Sequence, residues 1–450
     1  MKVFLRPLKN INYRLLVAIF ISMLIPTVYQ TVRIHFLGNM PSDWGVNIAS
    51  QLLWVNLFYE IIQEALILPL FFILGKSLND KEEFENKIKT GLLLTGIIYL
   101  LLSMTIIFFT KQIVILMAQN KSLIDATVKY VRLETIASLF STLSRFMILI
   151  FITLKKDKYM YLLLAVQMML SIILDACLIS NLSISLNIGV NGIAISNIIS
   201  NIINILIGIM LLNKENIKIL NKKEMSFVWV KEWMNIGKYS GLESLIRNVA
   251  FMIMIIRMVN VISEQGSYWI ANNFIWQWLL LPSLALADLM KKEIGEDKNN
   301  IQTNTFGYII LSASFSFLWL ISMPFWKPFL YYVMNVNMYE TVYKIILVQS
   351  IFYIIFIFNN ICDSAFYGAG RTDYMLIQSI FVNVFYYGGA FVLYKKGIFV
   401  PSLLSISLLF GIGMFADFIP TIIQYIRMLK KMKYKMIIKA DDGPFRRFFK

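Results

Sequence analysis

Apolar runs long enough to cross a membrane recur along the whole chain, and they constrain its fold more than any other feature. Hydrophobic residues make up 58% of the 450 residues and charged residues only 15%, whereas soluble domains carry roughly 25% charged residues. A helix of about 20 apolar residues crosses a hydrocarbon core of about 30 Å. We therefore expect an all-α integral membrane protein. The twelve predicted transmembrane helices lie at 13–37, 50–75, 89–110, 124–154, 159–181, 189–213, 234–262, 267–290, 304–333, 341–369, 374–394 and 399–426.

Positive charges gather in alternate loops of the chain. They are frequent near the N-terminus, at 76–89, 155–158, 214–231 and 291–298, and after residue 427, and are nearly absent from 38–49, 182–188 and 263–266. Despite a net charge of +16, this is the positive-inside pattern of a membrane protein rather than a nucleic-acid groove. We expect a multi-pass protein of the cell (plasma or inner) membrane with both termini cytoplasmic. Its surroundings are then a lipid bilayer, and no nucleic acid partner is expected.

Short segments in the first half of the chain recur in the second half at nearly one offset. KDKYM at 156–160 matches RTDYM at 371–375, LP at 68–69 matches LP at 281–282, and NDK at 79–81 matches EDK at 296–298. The offsets are 215, 213 and 217 residues. Each unit holds six helices, so both have the same topology and a pseudo-two-fold axis along the membrane normal relates them. Secondary transporters built from such repeats bind substrate near the midplane between them.

The longest polar interruption of the sequence lies near its middle, at residues 214–233. We interpret it as a cytoplasmic linker between two lobes of six helices. The N-terminal lobe then comprises residues 1–213, the C-terminal lobe residues 234–426, and residues 427–450 form a basic cytoplasmic tail.

Polar side chains form a stripe on the second predicted helix. Asn56, Glu60 and Glu64 are spaced at i, i+4 and i+8, so they share one face of a helix. At the repeat offset, the two glutamates fall on Asn273 and Gln277 of the eighth helix. A charge inside the bilayer costs about 2.5–3.5 kcal/mol unless it meets a partner or a wet cavity. Three alternatives stay open for Glu60 and Glu64. They can line a cavity as a pair suited to reversible protonation, they can pair with a buried arginine, or they can be exposed near the membrane surface.

Two intramembrane arginines are themselves related by the repeat. Arg33 and Arg247 lie 214 residues apart. Glu243, one turn before Arg247, predicts a local salt bridge. Arg33 has no acid near it on its own helix, so it needs Asp175, a glutamate of the second helix, or a ligand. Asp175 and Asp363 also lie within apolar runs.

Signatures of enzymes are missing from the sequence. There is no phosphate-binding loop of the G-x-x-x-x-G-K-[ST] type, no H-E-x-x-H, no nucleophile elbow and only one histidine. We therefore expect no enzyme, no cofactor and no metal site. Transport would then depend on an ion gradient, on a substrate gradient or on a partner protein.

Four short motifs resemble those of one transporter family. They are VYQTVRIHFLG at 28–38, LD at 174–175, GVNGIA at 189–194 and YGAGRTD at 367–373. In order and spacing the chain resembles, over nearly its whole length, the multidrug and toxic compound extrusion (MATE) transporters. That superfamily also includes flippases for lipid-linked oligosaccharides.

The resemblance implies twelve helices in two lobes around a V-shaped cleft, and export of amphipathic organic compounds coupled to H+ or Na+. It also implies a cation site formed by acids on helices one and five. Asp175 matches the second acid, and Ser171 lies one turn before it, but Arg33 stands where the family usually has aspartate. Arg247 likewise stands where some relatives have a glutamate on helix seven. These departures favour H+ over Na+ as the coupling ion.

We therefore predict a cation-coupled antiporter, working as a monomer, whose partners are the coupling cation and a small organic substrate that is drug-like or a metabolite. The predicted coupling and cavity residues are Glu60, Glu64, Asp175, Arg33, Ser171 and Asn56. The predicted substrate-cleft residues are Arg247, Glu243, Asn273, Gln277 and Asp363.

Two alternatives stay open for the arginines. Arg33 can act as a tethered cation paired to acids, which protonation would release. Alternatively, Arg33 and Arg247 can form an anion clamp, which would favour a flippase for a lipid-linked saccharide or another anionic, phosphate-bearing substrate.

Overall fold

The computed structural model describes residues 7–40, 44–78, 80–218 and 225–432, and this part of the chain is helical without strands. Six helices form the first half: α1 (Tyr13–Gly38), α2 (Trp44–Ser50, Leu52–Ile62, Gln63–Ile67 and Leu68–Lys76), α3 (Lys81–Leu116), α4 (Ile124–Thr153), α5 (Asp157–Leu178) and α6 (Asn191–Lys214). Six form the second half: α7 (Val230–Phe251, Met252–Ile256 and Arg257–Val261), α8 (Gln265–Phe274, Ile275–Leu279 and Leu281–Glu296), α9 (Asn300–Pro328 and Phe329–Val333), α10 (Tyr339–Ala369), α11 (Thr372–Ile380, Phe381–Tyr387 and Gly388–Lys395) and α12 (Leu403–Lys431). The predicted all-α class is confirmed.

Helix packing divides these helices into two lobes. In the N-terminal lobe α4 packs on α3 and α6, while α5 packs on α1 and α6. In the C-terminal lobe α10 packs on α8, α9 and α12, while α11 packs on α7 and α12. Contacts between the lobes are made by α1 and α2 with α7 and α8. The exact boundaries of the lobes stay a prediction, and residues 219–224 and 433–450 of the predicted linker and tail lie outside the described residues.

Some helices extend past the predicted limits because their ends are polar. Helix α3 begins at Lys81 rather than near residue 89, and the Asp80 side chain caps it by accepting hydrogen bonds from the Glu82 and Glu83 amides. A carboxylate at this position satisfies amides that have no partner within the helix. Capping residues are polar, so a search for apolar runs does not detect them and places the start of the helix too late.

Helices α2 and α8 are interrupted at equivalent places in the two lobes. Ten helices are long and apolar enough to cross a membrane by length and composition, and α2 and α8 are not among them. Each has a π-helical turn, Gln63–Ile67 in α2 and Ile275–Leu279 in α8, followed by a Leu-Pro pair. Proline lacks the N–H that a continuous helix needs, and π-turns inside helices often mark functional positions. The repeated LP pair thus marks equivalent breaks in the two lobes.

The lobes contact each other at the basic end of the bundle, which holds the described loop residues near 154–156, 215–218, 225–229 and 297–299. The Trp233 Nε1 of α7 donates to the Leu66 carbonyl of α2 at 2.7 Å. The amide of Asn12, just before α1, donates to Glu293 of α8 at 3.0 Å. Gly237 of α7 lies directly against the Ala65 carbonyl.

The lobes also contact each other at the opposite end. Gln51 of α2 and Asn260 of α7 exchange two hydrogen bonds of 2.8 and 3.1 Å, and both side chains are buried. A further bond joins Asn335, after α9, to the His35 carbonyl of α1 at 3.2 Å. The lobes therefore contact each other at both ends.

The contact at Gly237 gives a test of whether this contact holds the lobes together at the basic end. A methyl group at Gly237 would overlap the Ala65 carbonyl, so we expect Gly237→Ala to open the basic end, although alanine favours helices over glycine. The measurement is alkylation of Ser240→Cys by N-ethylmaleimide in a Cys177→Ser, Cys362→Ser background, expected to rise several-fold.

Gly75→Ala on α2 is the matched control, because a methyl group there meets nothing within 4 Å. Equal alkylation rates in the two glycine variants would show that the Gly237 contact does not close the bundle.

Candidate functional site

A cavity of about 520 Å³ lies between five helices of the N-terminal lobe and α8 of the C-terminal lobe. Of the predicted site residues, Arg33, Asn56, Asn273 and Gln277 belong to its wall. The others lie outside the wall: Glu60, Glu64, Asp175, Ser171, Arg247, Glu243 and Asp363. The predicted residues therefore fall into several separate groups, which are described in turn.

Arg33 of α1 forms a buried ion pair with Asp175 of α5. Its Nε lies 2.7 Å from Asp175 Oδ2 and its terminal nitrogen 3.3 Å from Oδ1, the two-pronged geometry that suits a guanidinium and a carboxylate. The side chains are only 7% and 1% exposed. Ser171 is buried one turn before Asp175. Of the partners considered for Arg33, the structure selects Asp175 and not Glu60 or Glu64, and both partners belong to one lobe.

Glu134 of α4 is a second acid beside Arg33 that the sequence did not single out. Its carboxylate accepts hydrogen bonds from Asn197 Nδ2 at 2.9 Å and from the Tyr130 hydroxyl at 3.2 Å. It also interacts electrostatically with Arg33. Glu134 and Asn197 line the cavity, whereas Asp175 does not. The only signal in the sequence was an acid within the fourth apolar run.

Arg247 of α7 binds three carboxylates, and two of them belong to the other lobe. Its terminal nitrogens lie 3.0 Å from Glu60 and 3.0 Å from Glu64, both on α2, and its Nε lies 3.1 Å from Glu243. The local salt bridge predicted from spacing is present, and it is extended by the two glutamates of the other lobe. We call these four residues the Arg247 cluster. With every carboxylate ionised, it holds two negative charges in excess.

Two further acids lie in the C-terminal lobe behind the Arg247 cluster. Asp363 of α10 accepts a hydrogen bond from Gln378 at 2.7 Å, and Asp417 of α12 accepts one from Asn359 at 2.7 Å. The two acids interact electrostatically with each other and with Glu243. Asp363, predicted in the substrate cleft, lies in this separate polar group. Asp417 was missed, although it stands alone in the last apolar run.

The polar stripes of α2 and α8 have different partners although the repeat relates them. Gln277 of α8 donates to Asn273 at 2.8 Å, and Asn273 donates to the Trp269 carbonyl. These neutral amides can face the cavity while bonded to each other. The corresponding acids of α2 need a cation, which α7 provides. Within the described residues, no group of three or more His, Cys, Asp or Glu side chains is placed to hold a metal ion.

The sequence matches no family model and no curated protein, but the structure resembles solved MATE transporters over almost its full length. A mutant of the Vibrio cholerae MATE transporter VcmN matches with a TM-score of 0.70 at 15% identity, over 96% of this chain and 99% of that one. An inward-facing MATE family transporter of the MOP superfamily matches with a TM-score of 0.70 at 16% identity, over 93% and 96%. A MOP superfamily transporter from Pyrococcus furiosus, described as having a binding pocket of reverse polarity, matches with a TM-score of 0.67 at 18% identity, over 96% and 98%.

At these identities the likeness establishes the fold. The chain has the twelve-helix, two-lobed fold of the MATE transporters, as predicted from its repeats and motifs.

Proposed function

We propose that this protein is a secondary active transporter that exports an organic compound by alternating access and takes up protons in exchange. The observation that carries the proposal is the Arg247 cluster, in which acids of one lobe bind an arginine of the other. We place the protein in the cell membrane with its basic end in the cytoplasm.

The coupling step follows from the charges of the cluster. When Glu60 and Glu64 bind protons from outside, they lose the charge that holds Arg247, and the lobes can separate at the basic end. Cargo then binds from the cytoplasm, the protons leave into the cytoplasm, and the arginine pairs with the glutamates again. The lobes then separate at the opposite end, where the cargo is released and the glutamates bind new protons. Parallel-repeat transporters move by such rocking of one lobe against the other.

The groups around the cluster oppose loss of the arginine's charge. Glu243 stays beside Arg247 on the same helix, and Asp417 also interacts electrostatically with the arginine. An arginine side chain stays protonated at any physiological pH. We therefore assign the protons to the carboxylates of α2 and not to Arg247.

The anion clamp considered for Arg33 and Arg247 gains no support from the geometry. Both guanidinium groups are bound to carboxylates, so neither offers a free charge to a phosphate. The residues that bind the cargo must therefore be sought among the other side chains that line the cavity.

The test is transport by purified protein in liposomes with an imposed pH gradient. Ethidium, a cation, and carboxyfluorescein, an anion, are the probes, and we expect at least one to move against its gradient until a protonophore is added. Replacing sodium by choline should leave the rate unchanged. If neither probe follows the pH gradient, or if movement requires sodium, the proposal is wrong.

A further inference from the structure

Arg145 of α4 lines the cavity, as Arg33 does, and it differs from both Arg33 and Arg247 in having no acidic partner among the described residues. Its NH1 donates to Gln63 Oε1 of α2 at 2.6 Å. Among the described residues, no carboxylate lies within 4.0 Å of it, whereas Arg33 and Arg247 both have one. The side chain lines the cavity and is exposed to it. An ionised group at membrane depth usually marks a substrate or ion site unless it is paired.

The one acid of the cavity wall does not offset this charge. Glu134 already accepts bonds from Asn197 and Tyr130 and interacts with Arg33. It also lies eleven residues from Arg145 on the same helix, roughly 16 Å at 1.5 Å per residue. A cationic cargo would therefore find no free carboxylate in this wall, while an anionic one finds a guanidinium without a carboxylate partner.

Carboxamides dominate the rest of the polar wall, and three of them are unengaged. Gln30 of α1, Asn56 of α2 and Gln167 of α5 line the cavity, and the side chains form no hydrogen bond with any described residue. Each amide offers both donors and an acceptor. Hydroxyl groups, which also donate and accept, match such a wall, whereas a purely apolar cargo would leave these groups unpaired at a cost.

We propose that the cavity binds an organic anion whose uncharged part carries several hydroxyl groups. The oxyanion, a carboxylate or a phosphate, binds the Arg145 guanidinium, since both match its planar fork of donors. The hydroxyl groups bind Gln30, Asn56 and Gln167, and the indole of Trp276 in the same wall provides a flat apolar surface. This proposal identifies the cargo of the proposed transporter and therefore rests on the proposed function. Its test measures binding alone and needs no pH gradient.

The test is binding to purified protein in a detergent without a sugar headgroup, followed by tryptophan fluorescence. Three probes share one aromatic group: 4-methylumbelliferyl glucuronide has a sugar and a carboxylate, the glucoside only the sugar, and the phosphate only an oxyanion. We expect the glucuronide to bind most tightly. Binding of the glucoside as tight as that of the glucuronide, or no binding of any probe, would overturn the proposal.

Variants of two arginines on α4 assign the effect to one residue. Arg145→Gln should weaken glucuronide binding by about tenfold or more, as expected for a lost charged hydrogen bond, and leave the glucoside within about twofold. Arg145→Lys should retain part of the affinity. Arg132→Gln is the matched control, because Arg132 is exposed, bonds to the Ile107 carbonyl and is not in the cavity wall.

An unchanged glucuronide affinity in Arg145→Gln, or an equal loss in Arg132→Gln, would show that Arg145 is not the anchor. This outcome can be distinguished from a failure of the proposed function. In that case neither ethidium nor carboxyfluorescein would follow the pH gradient in the transport test.

Discussion

Replacing Glu60 and Glu64 together by glutamine should abolish transport driven by a pH gradient. The glutamines keep the size of the side chains but remove the charges that bind Arg247, so they imitate the protonated state permanently. Arg247 then keeps only Glu243, one turn away on its own helix, and the lobes lose their central ionic contact. We expect the rate of gradient-driven uptake to fall to that of protein-free liposomes.

A second measurement separates loss of coupling from loss of folding. At each pH the alkylation rate of Ser240→Cys is divided by that of the same protein unfolded in sodium dodecyl sulfate, because only the thiolate reacts and its fraction falls with the pH. In the double variant this ratio should be high at both pH 5.5 and pH 8, whereas in the parent protein it should rise as the pH falls. The sign follows from the mechanism, because acid protonates the glutamates and opens the basic end.

Glu232→Gln is the matched control for the charge change. Glu232 of α7 also pairs with a residue of the other lobe, Lys76 at 2.6 Å, but both side chains are about half exposed. Exposed salt bridges of this kind contribute little to the stability of a structure. If Glu232→Gln abolishes coupling as fully as the double variant, or if the double variant still follows the pH gradient, the Arg247 cluster is not the coupling site.

The sequence predicted the fold better than it predicted the partners within it. Twelve apolar runs and the spaced pairs of LP and KDKYM-like segments were enough to predict two six-helix lobes. Each apolar run and each repeated segment can be recognised from its own stretch of sequence, without knowing which helices pack together. The π-turns of α2 and α8 were not predicted, although the LP pairs marked their position. Proline indicates a break in a helix but not the form that the break takes.

The site was predicted as a set of positions but not as a set of contacts. Helical spacing placed Asn56, Glu60 and Glu64 on one face of α2. In the structure, the residues of this face have two different surroundings. Asn56 lines the cavity, while the glutamates bind an arginine more than 180 residues away. Which distant residue meets which acid depends on how the lobes are packed, and one sequence does not contain that information.

The second large effect is expected from Arg33, whose pair with Asp175 lies within one lobe and has little access to water. Arg33→Ala would leave two buried carboxylates, those of Asp175 and Glu134, without their cation. Removing one partner of a buried pair costs about 3–5 kcal/mol. We therefore expect a clearly lower melting temperature in detergent. Arg132→Ala, on an exposed side chain with a single bond to a carbonyl, should leave it nearly unchanged.

The double variant Arg33→Ala, Asp175→Ala decides between a structural and a coupling role for this pair. Removing both charges leaves Glu134 with its bonds from Asn197 and Tyr130, so most of the lost stability should return. Because both residues move with the same lobe, rocking does not require their separation, and the double variant should still transport along a pH gradient. A stable double variant that no longer responds to pH would instead place coupling at Arg33 and Asp175, and a double variant as unstable as Arg33→Ala would show that Glu134 also needs this arginine.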